Sequence, residues 1–409
     1  MQKPSLRAYS TAVLAATALM VATASVRADE DTGITDDTVK VGSIVPLSGP
    51  SAPLSVYVRQ LAAYLKYVSA QGGVKFGDGK VRKIEPILID SGGQPARALA
   101  AARELVEQQK VFVLASPHGT NENLAIVDYL NAKEVPQAFV NSPATIWGSE
   151  VAKHPWTFGF PPVPGTQISI LVSYIRSVRP DAKIAFLHAN DQTGHDAVAA
   201  LKRVTAEGPA KVVAIESYEF SDATVDSQVV RLAASGADVF IDYAIGRHGL
   251  QAIQKANEIG WKPLRLVETS TASSGAIKKL PPELIDGIVS SAYAKDPTSA
   301  EFKDDPAILT YQKAMAEYFG SGFDPTSQPL GALEAATLIR VFETTPEPTR
   351  AAFVAAARKL EGVEIPFLLP GIRVSLASTH GFPITQMQII RFENGNFVRV
   401  GDVLYGPPL

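Results

Sequence analysis

VFVLASPHGTNENLAIVDYLNAKEVPQAFVNS, residues 111–142, is the stretch that decides the fold. It opens with an apolar run of strand length, the pattern of a strand buried on both faces. Ser116, Pro117, His118 and Gly119 interrupt that run. A segment of helical period follows (NLAIVDYLNA), then a second short run, QAFVNS. Strand, helix and strand within about thirty residues make a β/α/β unit, whose strands pair in parallel because the helix must cross over.

Outward from this unit the same alternation recurs. VKVGSIVPL leads into a helix expected from about Leu54 to Ser69, and KIEPILID leads into one opening at Pro95, a favoured first helical position. After WTFGFPPVPG, whose prolines break the pattern, a second set begins: ISILVSYIRSV, KIAFLHA, HDAVAALKRVT, KVVAIESYEF, VDSQVVRLAAS, DVFIDYA, GLQAIQKANEIG, LRLVE and GIVSSAYA. From Pro297 to Glu361 the chain turns helical. It closes on QMQIIRF and NFVRVGDV around Asn394-Gly395, a strong two-residue hairpin signal. The expected fold class is α/β, two doubly wound Rossmann-like lobes. Lobe 1 takes residues 29–160 plus 297–380 and lobe 2 takes 161–296 plus 381–409, with crossings near Pro161-Pro162, Asp296-Pro297 and His380-Pro383.

At the N-terminus Lys3 and Arg7 precede an apolar run from Thr11 to Ala22, and small residues flank Ala28. This is expected to be a secretory signal peptide, residues 1–28, since the run is shorter than the roughly 20 residues of a membrane span. The chain of 409 residues has a formal net charge of −3. The leader holds three of the basic residues, so the remainder is more acidic still, which makes nucleic acid and anionic membranes poor partners. There is no cysteine, which excludes disulfides, thiolate metal sites, cysteine nucleophiles and a lipidated N-terminal cysteine. Free diffusion in the periplasm as a monomer is the expectation. The six histidines form no HExxH pair, and GxGxxG, P-loop and GxSxG motifs are missing, so neither an enzyme nor a cofactor or metal site is expected.

VKVGSIVPLSGP, LIDSGGQPARALAAARELVEQQKV, SPHGTNENLA with EVPQAFVNSPAT, HANDQTGHDAV and ADVFIDYAIGRHGLQAIQKANEIGW occur in an order that resembles the branched-chain amino-acid-binding receptors, the leucine/isoleucine/valine type. The likeness covers essentially all of the chain after the leader. It implies a type I periplasmic binding protein with a three-strand hinge, closing on a ligand and passing it to an inner-membrane ABC permease. Ligands in open α/β sheets bind beyond the carboxyl ends of strands, so the loops there supply the candidates.

In the first lobe these are Ser116, His118 and Thr120, with Thr120 also serving as a helix cap, and Asn141, Ala144 and Thr145, whose loop is similar to the family's Ser-Pro-x-Ala-Thr. In the second lobe Thr193 stands where the family often has tyrosine, and Ile245 where it has another aromatic. The family's ammonium-binding carboxylate falls at Thr269, or at Glu268 with a one-residue shift. Arg247, with Tyr243 beside it, is the candidate anchor for an anion. Gln328 matches a further contact position, and Trp147 could stack on an aromatic ring or pack in the core. The expected ligand is therefore a small aromatic carboxylate of the hydroxybenzoate or phenylpropenoate type. A branched-chain or other apolar amino acid held through Glu268 is the alternative, and a sensory receptor subunit or a hydrolase on the same scaffold are rivals.

Overall fold

A computed structural model describes residues 32–378 and 381–408. Residues 1–31, which include the expected leader, and Thr379, His380 and Leu409 lie outside that range. The first sheet holds β1 (Thr38–Val45), β2 (Val74–Lys75), β3 (Val81–Asp90), β4 (Val113–Ala115), β5 (Gln137–Val140) and β6 (Thr157–Gly159), in the order β2-β3-β1-β4-β5-β6. All its pairings are parallel except that of β2 with β3. Between the strands run α1 (Val56–Ala70), α2 (Pro95–Arg103), α3 (Thr120–Ala132) and the single turn α4 (Ile146–Ser149). The helix expected to run from Pro95 to about Gln108 leaves the α form at Glu104, where Gln109 N–H donates to Glu104 C=O five residues back, a π turn.

The second sheet comprises β7 (Lys183–Ala189), β8 (Lys211–Tyr218), β9 (Val239–Tyr243), β10 (Leu264–Val267), β11 (Val289–Ala292), β12 (Gln386–Glu393) and β13 (Asn396–Tyr405), in the order β13-β12-β11-β10-β9-β7-β8. Strands β7 to β11 run parallel, and β12 and β13 join antiparallel as a hairpin. Its turn residues have φ of 51° at Asn394 and 84° at Gly395, the left-handed pair that this dipeptide adopts cheaply. Helices α5 (Pro164–Val178), α6 (Gln192–Val204), α7 (Asp226–Ala234) and α8 (Arg247–Glu258), with the short α9 (Ser274–Ile277) and α10 (Pro282–Ile285), cover this sheet.

The late helices α11 (Pro306–Phe319), α12 (Leu330–Thr344) and α13 (Arg350–Arg358) return to the first sheet, where α11 and α12 pack on α1. Each sheet with its helices forms one lobe, and the chain passes between them three times, at 160–163, 293–305 and 359–385. The α1–α12 contact is close because position 331 is glycine: a Cβ there would stand 1.8 Å from Tyr57 C=O. Gln60 ties the helices together, accepting from Gly331 N–H at 3.1 Å and donating to Tyr311 Oη and Ser327 Oγ, both at 2.9 Å. That clamp sets the heights of Tyr57 and Glu334 in the first lobe.

Candidate functional site

The first-lobe strands β4 and β5 end side by side, and their loops are held by a fixed set of bonds. His118 N–H donates to Ile44 C=O at 3.0 Å, and Asn141 N–H to Pro117 C=O at 3.0 Å. Asn123 donates to the carbonyls of Pro117 and Gly119, while its own oxygen receives Gln137 Nε2 at 2.7 Å. Ser116 is fully buried with φ at 53°, a left-handed turn that bends the chain out of β4.

Within this frame Ser142 Oγ receives Trp147 Nε1 at 2.9 Å and Ala144 N–H at 3.3 Å. A hydroxyl has two acceptor sites and one proton. Ser142 must therefore donate to Thr120 Oγ1, 2.8 Å away, which leaves the Thr120 proton for Thr193 Oγ1 at 3.4 Å or for a ligand oxygen. Asn141 Nδ2 donates to Glu334 Oε1 at 3.1 Å. Beside it Glu334 Oε2 and His118 Nδ1 are buried with no partner. Burial pushes the Glu334 carboxyl up to about 8 against the pull of Ser116 and Asn141, and pushes His118 down to about 4, so the imidazole is neutral.

From the second lobe Glu268 follows β10. Its Oε2 accepts from Ser270 N–H at 2.7 Å, from the Ser270 hydroxyl and from Thr271 N–H at 3.4 Å. Burial nevertheless raises its carboxyl above the ordinary glutamate range. Tyrosines surround it: burial first and the Glu268 charge second push Tyr57, from the first lobe, up to about 12, and the same causes raise Tyr243 well above its usual value. Tyr293, just past β11, is raised by burial and then by Glu334, Tyr57 and Glu268, so it lies within electrostatic reach of both carboxyls. Asp242, 1% exposed, is raised by burial and by Glu268. No lysine or arginine is among the groups that shift Asp242, Glu268 or Glu334. The crevice is therefore acidic and lined by hydroxyls.

The lobes also meet directly. Thr193 Oγ1 lies 3.4 Å from Thr120 Oγ1, and Thr145 N–H donates to Asp196 Oδ2 at 2.8 Å, so the strand-end loops of the two lobes are in contact and the arrangement is closed. Asp191 caps α6 through Gly194 N–H and so orients that loop. His188 and His195 approach to 6.2 Å between ring centroids, but His188 Nδ1 is bonded to Ala189 C=O, and no cluster able to hold a metal occurs among the described residues.

Ser116, His118, Thr120, Asn141, Ala144 and Thr145 thus gather at the first-lobe strand ends, and Thr193, Tyr243 and Glu268 belong to the second-lobe side. Two expectations need correction. Arg247 is exposed, and its guanidinium donates to the carbonyls of Phe220 at 3.1 Å and Asp222 at 2.8 Å; it braces the loop after β8 instead of facing the crevice. Of the two roles open to Trp147, core packing is the one observed: it is 3% exposed and packs with Val127, Val140 and Ala144. Gln328 lines a separate cavity of about 550 Å³ with Ala292, Ala294 and Asp296, whose lining includes neither Glu268 nor Glu334. The Thr269 option also falls away, because its hydroxyl is spent between Gln167 Nε2 and Ser291 C=O. Sequence reasoning missed Tyr57, Tyr293 and Glu334. Only Glu334 left a signal: it is the one charge in the apolar run LGALEAATLI.

The model of the periplasmic binding protein family matches residues 38–396. A Leu/Ile/Val-binding protein homolog of Brucella abortus is 24% identical over 322 residues, covering 75% of this chain and 78% of that protein. A branched-chain amino acid ABC transporter protein from Thermus thermophilus with bound valine superposes with a TM-score of 0.76 at 16% identity, over 91% of this chain and 97% of that one. A substrate-binding periplasmic protein from Ralstonia solanacearum does so with 0.76 at 17%, over 88% and 100%, and a fatty acid ABC transporter substrate-binding protein from Thermomonospora curvata with 0.75 at 19%, over 92% and 94%. With its two parallel-sheet lobes joined by three crossings around a polar crevice, the chain belongs to the periplasmic binding protein family.

Proposed function

We propose that this receptor captures an α-amino acid between its lobes and delivers it to an inner-membrane ABC permease, with Glu268 taking the ammonium group. The observation that carries this reading is the half-buried Glu268 carboxylate, which has hydroxyl and amide donors on one oxygen and no lysine or arginine beside it. Once a ligand covers it, such a charge without a counter-charge costs several kcal/mol, and a ligand ammonium removes that cost. The ligand carboxylate then takes the Thr120 proton at the first-lobe strand ends, in place of its long contact with Thr193. Because the two charges of the ligand are read by different lobes, only the closed state makes both contacts, and the ligand shifts the open–closed balance by that difference. The leucine/isoleucine/valine relatives and the valine bound in the Thermus thermophilus protein support the same class.

An aromatic carboxylate loses its two supports here, since Arg247 braces a loop and Trp147 is in the core. The test is a thermal-shift screen of the protein without its leader against free amino acids and hydroxybenzoates. A ligand at one hundred times its Kd adds about 2.7 kcal/mol of stability. Melting should rise with amino acids and stay level with aromatic acids; the reverse pattern overturns the proposal.

A further inference from the structure

We infer that the first-lobe end of the crevice holds a second polar subsite, built from Glu334, Asn141 and His118, that selects an amino acid whose side chain ends in a hydrogen-bonding group over one that is aliphatic. The inference rests on the amino-acid reading and narrows it. Glu334 is 2% exposed near the start of α12; one of its oxygens takes the Asn141 amide at 3.1 Å and the other, buried, takes nothing. His118 Nδ1, in the loop that bridges to Asn141, is likewise buried and unpartnered. Leaving a buried polar atom unsatisfied is costly, so two beside one amide mark a place where a further group bonds.

The location suits a ligand side chain, because Asn141, which bonds Glu334, precedes Ser142 in the loop whose hydroxyl meets Thr120 opposite Thr193 of the second lobe. An aliphatic end arriving there would seal Glu334 Oε2 beneath methyl groups. A hydroxyl or amide end would accept the proton that the neutral carboxyl carries there, and an ammonium end would pair with the ionised form in its place. Helix α12 cannot retreat to relieve the mismatch, because Gly331 is already packed against the Tyr57 carbonyl.

Isosteric pairs isolate the effect: valine against threonine, leucine against asparagine, and norleucine against ornithine, each titrated by calorimetry into the wild-type protein and into Glu334→Leu and Glu334→Gln. In the wild type the polar member of at least one pair should bind tenfold or more tighter. Glu334→Leu should erase or reverse that preference, and Glu334→Gln, which keeps an acceptor for Asn141 and puts an amide donor where the carboxyl proton stood, should retain part of it and guards against a misfolded leucine variant. Aliphatic members binding the wild type as well as their partners, with no change of ranking in either variant, would mean that water alone fills the subsite, and would overturn the inference while the amino-acid reading stands. Failure of all six compounds to bind the wild type would overturn both.

Discussion

Replacing Glu268 by glutamine separates a residue kept for a ligand from one kept for the fold. In the closed protein the carboxylate is half-buried, electrostatically coupled to Asp242 and three tyrosines, and stabilised by bonds from Thr269, Ser270 and Thr271. Glutamine preserves an acceptor oxygen for those donors and removes a buried charge, so the free variant should melt at the wild-type temperature or higher. Binding should move the opposite way. Removing one partner of a buried, hydrogen-bonded charge pair costs 2–5 kcal/mol, and a central value of about 3 corresponds to a Kd roughly 150-fold weaker. Calorimetry with the amino acid that gives the largest thermal shift, together with unfolding of the free protein, reads both quantities. An affinity within threefold of wild type, or a large loss of stability without ligand, would refute the assignment of Glu268 to the ammonium.

Asp196→Ala removes the carboxylate that docks on Thr145 N–H across the crevice; at about 1 kcal/mol for one such bond, the closed form of the free protein should lose about fivefold in population, visible as a larger radius of gyration in solution scattering. Arg247→Ala should leave amino-acid affinity within about threefold, because its guanidinium serves the carbonyls of Phe220 and Asp222. Glu334, with its folded carboxyl at about 8, makes the folded state bind more protons than the unfolded one from roughly pH 4.5 upward. Its contribution is thus fully present below that point and is lost as pH rises towards 8, with a slope of at most about 1.4 kcal/mol per unit. Denaturant titrations of Glu334→Gln against wild type across this window should show the wild type falling further as pH rises.

The lobes were legible because parallel strands covered on both faces leave apolar runs, and residues 111–115 and 239–241 show this plainly. Asn394-Gly395 announced its hairpin through backbone chemistry that few other dipeptides share. The π turn at Glu104 was not legible, since the residues that make it are ordinary helix formers and the extra residue is forced by packing. The first-lobe site could be read from strand ends, because position after a parallel strand places a loop at the crevice whatever its detailed turn.

Side-chain direction is what position alone does not encode, and the site depended on it. Arg247 and Glu268 both follow second-sheet strands, yet one turns out to loop carbonyls and the other inward to Tyr57 and Tyr293, a difference set by the turns at Gly246 and Ser270. The partners of Glu268 come from α1, β9 and the crossing after β11, hundreds of residues apart, and no local pattern joins them. Glu334 is the instructive case between these extremes. A carboxylate within an apolar helical segment costs several kcal/mol to bury unless something meets it. Finding it covered, half-bonded and backed by a helix that cannot shift turns a compositional oddity into a statement about the ligand, which must supply what the protein leaves out.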